Sequence, residues 1–261
     1  MESNIFELTK EEMKRKASII LGNESIRNQL KEITKIMFSD RNNQDVLNFL
    51  DINGNILLYG KPGTGKTSIC YECMLENDKA SYYHLNISTL ISEKLGKTPK
   101  LIDEFFKIVI EKTKKYKVFL LFEEIEAFLP DRNNSKELED MKRALTIFMH
   151  YLDKHISNLV LLCTTNYKTN LDEAILRRFS FQYEIKNNEK KAFIDFLTIS
   201  ENPFKEFFSN NEKNNEIAEL LVTKNSTFSD VKHYMRELYI AGMAVNDENL
   251  INQIKEDKNE L

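Results

Sequence analysis

The chain has 261 residues, of which 41% are hydrophobic and 30% charged, with 37 Lys and Arg against 41 Asp and Glu. This composition is globular and excludes wholesale disorder, and the length suits one large domain or one domain with a small satellite. No apolar run reaches the roughly 18 residues of a membrane-spanning helix, and the formal net charge of −4 gives no overall basic surface for nucleic acid.

The N-terminal region is polar and contains one helical stripe. Its apolar residues are spaced by four, three and four positions: Ile26, Leu30, Ile33 and Met37. The polar segment at 40–44 interrupts this pattern. We therefore expect an N-terminal helical arm over residues 1–45, with one or two helices and no separate recognition domain.

Five short apolar runs follow, and each has the length of a buried strand. They lie at 56–59, 81–87, 118–122, 159–163 and 179–185. Helical stretches separate them, the clearest of which runs from Ser135 to His155. Strands that alternate with helices predict a five-stranded parallel sheet covered on both faces, which is an α/β fold with an αβα core over residues 46–186.

The pattern becomes entirely helical after Ile185. One apolar stripe contains Val231, Tyr234, Met235 and Leu238. Thr227 precedes this stripe, and Asp230 follows Thr227 by three positions, which is the spacing of a capping box. The segment at 209–215 (SNNEKNN) is predicted to be a loop. Residues 187–261 are expected to form a C-terminal α-helical subdomain.

The most specific motif is the sequence GKPGTGKT at 60–67. It follows a predicted strand and opens a predicted helix, as a phosphate-binding loop requires. Lys66 is expected to reach the β and γ phosphates of ATP, and Thr67 to hold Mg²⁺ through its hydroxyl. The expected nucleotide-binding residues are Gly60, Pro62, Gly63, Thr64, Gly65, Lys66, Thr67 and Ser68.

Two carboxylates end the strand predicted at 118–122. The carboxyl ends of parallel strands line the ligand crevice, so Glu123 and Glu124 would both face the nucleotide. We assign Glu123 to Mg²⁺, through water, and Glu124 to activation of the attacking water. The alternative is a pair of solvated acids in a turn, but acids so close to a buried strand are costly without a cation.

Four segments in this order resemble the AAA branch of the AAA+ ATPases. They are GKPGTGKT at 60–67, VFLLFEEIEAF at 118–128, LLCTTN ending at Asn166, and LDEAILRRF ending at Phe179. The last segment is most similar to the group that contains spastin and katanin, where two adjacent arginines precede a Phe. The resemblance extends from about Leu21 to Ala244 and implies a P-loop NTPase core with a C-terminal helical lid.

The resemblance also implies roles for individual residues. Asn166 matches the sensor 1 residue near the γ phosphate, while Arg177 and Arg178 match arginine fingers that act on ATP bound by a neighbouring subunit. Leu21 and Gly22 lie in the segment that contacts adenine, and Ser229 lies at the start of a lid helix near the base. Fingers supplied in trans imply a homo-oligomer, usually a hexamer when ATP is bound.

Three features depart from the family pattern. The metal carboxylate is usually Asp, whereas Glu123 is one methylene longer. The first pore loop of substrate-threading members carries an aromatic residue, but the matching Lys94-Leu95-Gly96 has none. We also expect no appended N-terminal recognition domain, so the identity of a substrate would depend on a partner.

The cysteines suggest no further chemistry. Three are too few for a disulfide framework, and the N-terminus lacks the features of a signal peptide, which predicts a cytoplasmic protein. Cys70 and Cys73 have CxxC spacing, but they lie one turn apart on a predicted helix and no second pair completes a zinc site. The basic run at 112–117 is better interpreted as a solvated helix end than as a nucleic-acid contact.

The leading hypothesis is a ring-forming ATPase that remodels or regulates an unidentified protein partner, using ATP and Mg²⁺. One alternative is a nucleotide-switched binding module with slow turnover, which Glu123 and the plain pore loop favour. A loader or motor on nucleic acid is a third possibility, and the negative net charge argues against it.

Overall fold

The computed structural model describes residues 7–17, 20–39, 44–77, 79–87, 97–128, 135–187 and 189–257. The chain divides into two compact units. Among the described residues, the first unit comprises those within 1–18, 25–60 and 66–184, and the second those within 19–24, 61–65 and 185–261. No helix in the described ranges is long and apolar enough to cross a membrane.

All five predicted strands are present in the first unit. They are β1 (Asn55–Tyr59), β2 (Ala80–Asn86), β3 (Lys117–Glu123), β4 (Leu159–Thr165) and β5 (Phe181–Glu184). They form one sheet in the order β2-β3-β4-β1-β5, and every neighbouring pair is parallel. The predicted five-stranded parallel α/β fold is therefore confirmed.

Seven described helices belong to the first unit. They are α1 (Lys10–Lys16), α2 (Glu24–Met37), α3 (Gln44–Phe49), α4 (Lys66–Leu75), α5 (Thr98–Thr113), α6 (Ser135–Leu152) and α7 (Glu173–Leu176). The buried core of the sheet is aromatic, with Phe106 stacked on Phe122 and on Tyr151. The strands β3 and β4 are buried along almost their whole length.

The N-terminal helices belong to the first unit together with the sheet. Met13 of α1 and Leu30 of α2 are fully buried. Just before α1, Glu7 forms an antiparallel bridge with Tyr83 of β2, and the Leu8 N–H donates to the Tyr82 carbonyl oxygen. The division of the sequence into an arm (1–45), a core (46–186) and a lid (187–261) remains a prediction.

The second unit contains four described helices. They are α8 (Lys190–Thr198), α9 (Asn211–Thr223), α10 (Phe228–Ile240) and α11 (Asp247–Glu256). Phe193, Ile217, Val231 and Leu250 are fully buried in its own apolar core. The capping box predicted at Thr227 and Asp230 is present at the start of α10.

One predicted loop in this unit is wrong. The segment 209–215 is not a loop throughout, because α9 begins at Asn211. The Asn210 side chain accepts hydrogen bonds from the N–H groups of Glu212 and Lys213, which satisfies two amides of the first turn. A run of Asn is therefore compatible with a helix start when one Asn serves as the cap.

Candidate functional site

The glycines of the phosphate-loop sequence adopt a conformation that other residues rarely take. Gly63 has φ +76° and Gly65 has φ +93°, both in the left-handed region that favours glycine. A Cβ on Gly65 would meet no atom within 4 Å, so open space lies beside the backbone there. A Cβ on Gly63 would lie 2.4 Å from the Ser229 Oγ, within the second unit. The loop therefore requires glycine at 63 because a side chain there would clash, and favours glycine at both 63 and 65 because of their backbone conformation.

Lys66 begins α4 directly after this loop. Its side chain is only 7% exposed, and Nζ donates to the Gly60 carbonyl oxygen at 2.8 Å. Burial lowers the pKa of Lys66 to about 8, while the nearby carboxylate of Glu126 opposes this shift. A phosphate beside the amine would favour its charged form, since an opposite charge raises the pKa of a lysine.

Thr67 and Glu123 are joined by a short hydrogen bond. The Thr67 hydroxyl donates to Glu123 Oε1 at 2.5 Å, and the other carboxylate oxygen, Oε2, lies 2.5 Å from Nε2 of His84. Burial acts to raise the pKa of Glu123, but the hydrogen bonds from His84 and Thr67 outweigh it, so this pKa lies below its ordinary value. Glu123 is therefore ionised at neutral pH.

This donor set is suitable for Mg²⁺, which takes oxygen ligands and is bound by one or two protein groups together with phosphates and water. The hydroxyl of Thr67 and the carboxylate of Glu123 supply such oxygens. No group of three or more His, Cys, Asp or Glu residues is arranged to hold a metal in the part of the chain that the structure describes. Any Mg²⁺ at Thr67 and Glu123 would need further oxygen ligands, which phosphates and water supply.

Glu124 has an unusual backbone. Its φ is +58°, in the left-handed region, which costs a non-glycine residue roughly 1–2 kcal/mol. Such conformations cluster at functional sites. The conformation turns the chain directly after β3, and the half-buried side chain makes no hydrogen bond within the described ranges. The carboxylate assigned to water activation is therefore not committed to a structural partner.

Asn166 follows β4, which lies between β1 and β3 in the sheet. Its backbone N–H donates to Glu126 Oε1 at 2.9 Å. The other oxygen of Glu126, Oε2, is buried and has no hydrogen-bond partner among the described residues. Asn166 thus lies at the carboxyl end of the sheet, as do Lys66 and the acids that follow β3. Glu126 holds the backbone of Asn166 through its hydrogen bond.

The two predicted arginine fingers have different environments. Arg177 is exposed. Arg178 is 17% exposed, and its Nη2 donates to Asp153 Oδ2 at 3.0 Å. Its Nη1 also donates to the Ala174 carbonyl oxygen. Arg177 is thus the exposed member of the pair, whereas Arg178 is held by contacts within its own chain.

The residues expected near adenine lie in the second unit. Leu21 packs against the apolar core of that unit. Gly22 has φ +72°, and a Cβ added to it would lie 3.2 Å from the Ala192 Cβ. Ser229 lies in the first turn of α10, two residues after its cap. The predicted pore-loop residues, Lys94-Leu95-Gly96, lie outside the described residues.

The CxxC residues are packing positions. Cys70 and Cys73 are both buried on α4, and Cys73 Sγ lies 3.4 Å from the Thr34 hydroxyl. Burial raises the pKa of Cys73 to about 11 and that of Cys70 as well. Both thiols are therefore protonated at neutral pH, which opposes reactivity because the thiolate is the nucleophile and the metal ligand.

Two residues of this site were not predicted from the sequence. His84 contacts Glu123, and Glu126 contacts Asn166. Glu126 was visible as the third acid in the segment EEIE at 123–126, which would have been a usable signal. His84 gave none, since its approach to Glu123 depends on how β2 pairs with β3.

The chain has a strand, a glycine-rich loop and a helix that begins with Lys-Thr, and a nearby parallel strand ends in acids. This combination defines a P-loop nucleoside triphosphatase. A family model described as "ATPase family associated with various cellular activities (AAA)" matches residues 56–187, just over half of the chain. The chain therefore belongs to the AAA family, as its sequence motifs predicted.

Curated relatives agree with this assignment. The chain is 32% identical to fidgetin-like protein 1 of Caenorhabditis elegans over 167 residues, covering 61% of this chain and 26% of the relative. It is 28% identical to the pachytene checkpoint protein 2 homolog of Danio rerio over 198 residues, covering 69% of this chain and 46% of the relative. The matches thus span between about a quarter and a half of these relatives.

Solved structures share the fold. One chain of the E. coli MS115-1 HORMA:CdnC:Trip13 complex matches with a TM-score of 0.70 and 16% identity, covering 95% of this chain and 91% of that chain. The FIGL-1 AAA domain matches with a TM-score of 0.66 and 21% identity, covering 90% and 80%. At these identities the likeness concerns the fold alone.

Proposed function

We propose that this chain binds ATP with Mg²⁺ and hydrolyses it within a ring of identical subunits, and that the ring remodels or regulates a protein partner. The observation that carries this proposal is the hydrogen-bonded pair of Thr67 and Glu123 beside Lys66, directly after a loop with left-handed glycines. That combination supplies the cation of Lys66 and two oxygen ligands where a P-loop binds the β and γ phosphates.

Each residue has a distinct task in this proposal. Lys66 neutralises phosphate charge, and Thr67 and Glu123 hold Mg²⁺, which supplies further positive charge to the phosphate oxygens. Glu124 accepts a proton from the attacking water, and Asn166 orients that water. Arg177 reaches the nucleotide of the neighbouring subunit. Because the finger comes from another subunit, hydrolysis requires an oligomer, for which we propose a hexamer.

The proposed protein partner is supported by the relatives. One matched structure is a complex that contains HORMA and CdnC together with Trip13. One chain of that complex matches this chain over 91% of its own length. We propose by analogy that the partner of this chain is also a protein. The three buried free thiols fit a reducing compartment, so we propose a cytoplasmic location.

A second candidate is a nucleotide-switched module with slow turnover. The observation in its favour is that Glu123 uses both carboxylate oxygens for hydrogen bonds with Thr67 and His84. A metal ion must therefore replace or share the hydrogen bond between Glu123 and Thr67. This competition would slow the hydrolysis of ATP, which depends on the metal.

The test is steady-state phosphate release measured across a range of protein concentrations. A ring ATPase predicts that the rate per subunit rises steeply with concentration and then reaches a plateau. Lys66→Ala should abolish both hydrolysis and ATP binding. If wild-type protein binds ATP but turns over at a low rate that is independent of concentration and of added partner, the switched module is the better description.

A further inference from the structure

The candidate metal carboxylate is held from two sides. Thr67 Oγ1 contacts Glu123 Oε1, and His84 Nε2 contacts Oε2, each at 2.5 Å. His84 lies on β2, where it is paired in register with Leu121 of the parallel neighbour β3, two residues before Glu123. Since side chains two apart on a strand share a face, the imidazole of His84 and the carboxylate of Glu123 lie on the same side of the sheet.

The imidazole of His84 is itself held in place. His84 is 16% exposed and Glu123 15% exposed. The ring of Tyr71 also meets the imidazole edge to face, with 6.3 Å between the ring centroids. Tyr71 is a buried residue of α4, the same helix that begins with Lys66 and Thr67. The helix that carries Thr67 thus also contacts the residue that holds Glu123, the other residue of the proposed metal site.

This arrangement bears on the extra methylene of Glu123. A glutamate has one more rotatable bond than an aspartate, and fixing that bond costs conformational entropy. Without a second contact, the free energy of metal binding would have to offset this cost. A donor on Oε2 removes that freedom beforehand and leaves Oε1 directed at Thr67. Residues that orient metal ligands in this way typically change metal affinity or activity by about 10–100-fold when they are removed.

We propose that His84 is a positioning residue, which donates its Nε2 hydrogen to Glu123 Oε2 and thereby sets the affinity of the Thr67–Glu123 site for its divalent cation. This inference rests on the proposed binding of ATP with Mg²⁺. It assigns His84 no contact with ATP or with the metal. The role depends on the N–H donor rather than on the imidazole as such, so a side chain with an equivalent donor should replace it.

The experiment is a titration of Mn²⁺, as a spectroscopic substitute for Mg²⁺, on the whole 261-residue chain saturated with a non-hydrolysable ATP analogue. Electron paramagnetic resonance follows the binding of Mn²⁺. His84→Ala should weaken Mn²⁺ binding by about 10–100-fold. His84→Gln, which retains an N–H donor, should recover most of that loss. The affinity for the analogue in EDTA should be the same in all three proteins.

Two outcomes would overturn the proposal. If His84→Ala weakened binding of the ATP analogue equally with and without metal, His84 would merely support the fold. If His84→Gln were as weak as His84→Ala, the hydrogen bond would not be the cause.

A double-mutant cycle separates this proposal from the metal assignment on which it rests. Glu123→Gln should itself weaken Mn²⁺ binding, and adding His84→Ala to it should cause little further loss, because the residues act as one unit. If Glu123→Gln left the affinity unchanged, the proposed metal site would be wrong. If Glu123→Gln weakened binding while His84→Ala did not, only the positioning role would be wrong.

Discussion

Arg178 is ion-paired with Asp153 of its own chain, with the Arg178 Nε 2.8 Å from Asp153 Oδ1. The adjacent Arg177 is exposed, although the family resemblance assigns the two arginines the same role. The pair therefore divides into an exposed residue, which we propose as the finger, and one that anchors the end of α7 to the segment after α6.

We expect Arg177→Ala to lower the rate of hydrolysis by about 10³-fold or more, the usual effect of losing an arginine finger, without changing the melting temperature. Steady-state phosphate release and a thermal melt measure the two effects. Mixing Arg177→Ala with Lys66→Ala subunits should restore some hydrolysis, because some sites then combine an intact loop with an intact finger. Mixed rings that show no recovery would contradict a finger in trans.

Arg178→Ala should instead act mainly on stability. We expect a loss of about 1–2 kcal/mol, because two hydrogen bonds disappear but Asp153 is half exposed. Asp153→Asn should cause a smaller loss and leave hydrolysis near the wild-type rate. If Asp153→Asn kept full stability while Arg178→Ala abolished hydrolysis in a stable ring, Arg178 would be a finger after all.

ATP binding should take up a proton at alkaline pH. The pKa of Lys66 is about 8 in the free protein, and the anionic phosphates raise it in the complex. Affinity should therefore be constant well below pH 8 and fall as the pH rises above 8. Calorimetry at pH 8.5 in two buffers of different ionisation enthalpy should reveal uptake of more than about half a proton.

Lys66→Arg is the matched control for this proton uptake, because an arginine stays charged across the range. It should show no uptake from this position, whatever its affinity. Identical binding enthalpies for wild-type protein in both buffers would contradict the shifted pKa of Lys66.

Glu126 should influence both stability and this pH dependence. Glu126→Ala removes the acceptor of the Asn166 N–H, which is part-buried. We therefore expect a loss of about 1 kcal/mol, the lower end of the cost of an unsatisfied buried donor. Glu126→Gln keeps an oxygen acceptor, so its free energy of unfolding, measured by chemical denaturation, should be nearer to that of the wild type. Because the Glu126 charge raises the pKa of Lys66, Glu126→Gln should also move the fall in ATP affinity to lower pH. An unchanged midpoint would argue against electrostatic coupling of the two residues.

Glu124→Gln should trap ATP. Loss of a general base typically lowers the rate by about 10²–10⁴-fold, while the shape of the side chain and the phosphate loop are kept. ATP affinity and oligomer formation should persist, as measured by filter binding and light scattering. Glu139→Gln, at an exposed acid on α6, serves as the control and should hydrolyse ATP normally. A wild-type rate in Glu124→Gln would remove Glu124 from the proposed chemistry.

The sequence was most informative where function depends on segments that are continuous in the chain. The five strand runs, the phosphate loop and the acids after β3 could all be predicted, because hydrophobic period and motif spacing are local signals. The sequence was least informative for contacts between segments. The approach of His84 to Glu123 and the pairing of Arg178 with Asp153 depend on strand order and side-chain direction, which no single segment records.

The short antiparallel bridge between Glu7 and Tyr83 has a practical consequence. The strand β2 lies at one edge of the sheet, and unpaired edge strands invite association with other chains. Residues Glu7 and Leu8 occupy part of that edge, on the strand that also carries His84. Recombinant versions that lack residues 1–9, or that carry a bulky fusion there, should aggregate more readily. Their metal-binding measurements would then report a damaged β2 rather than the intact site.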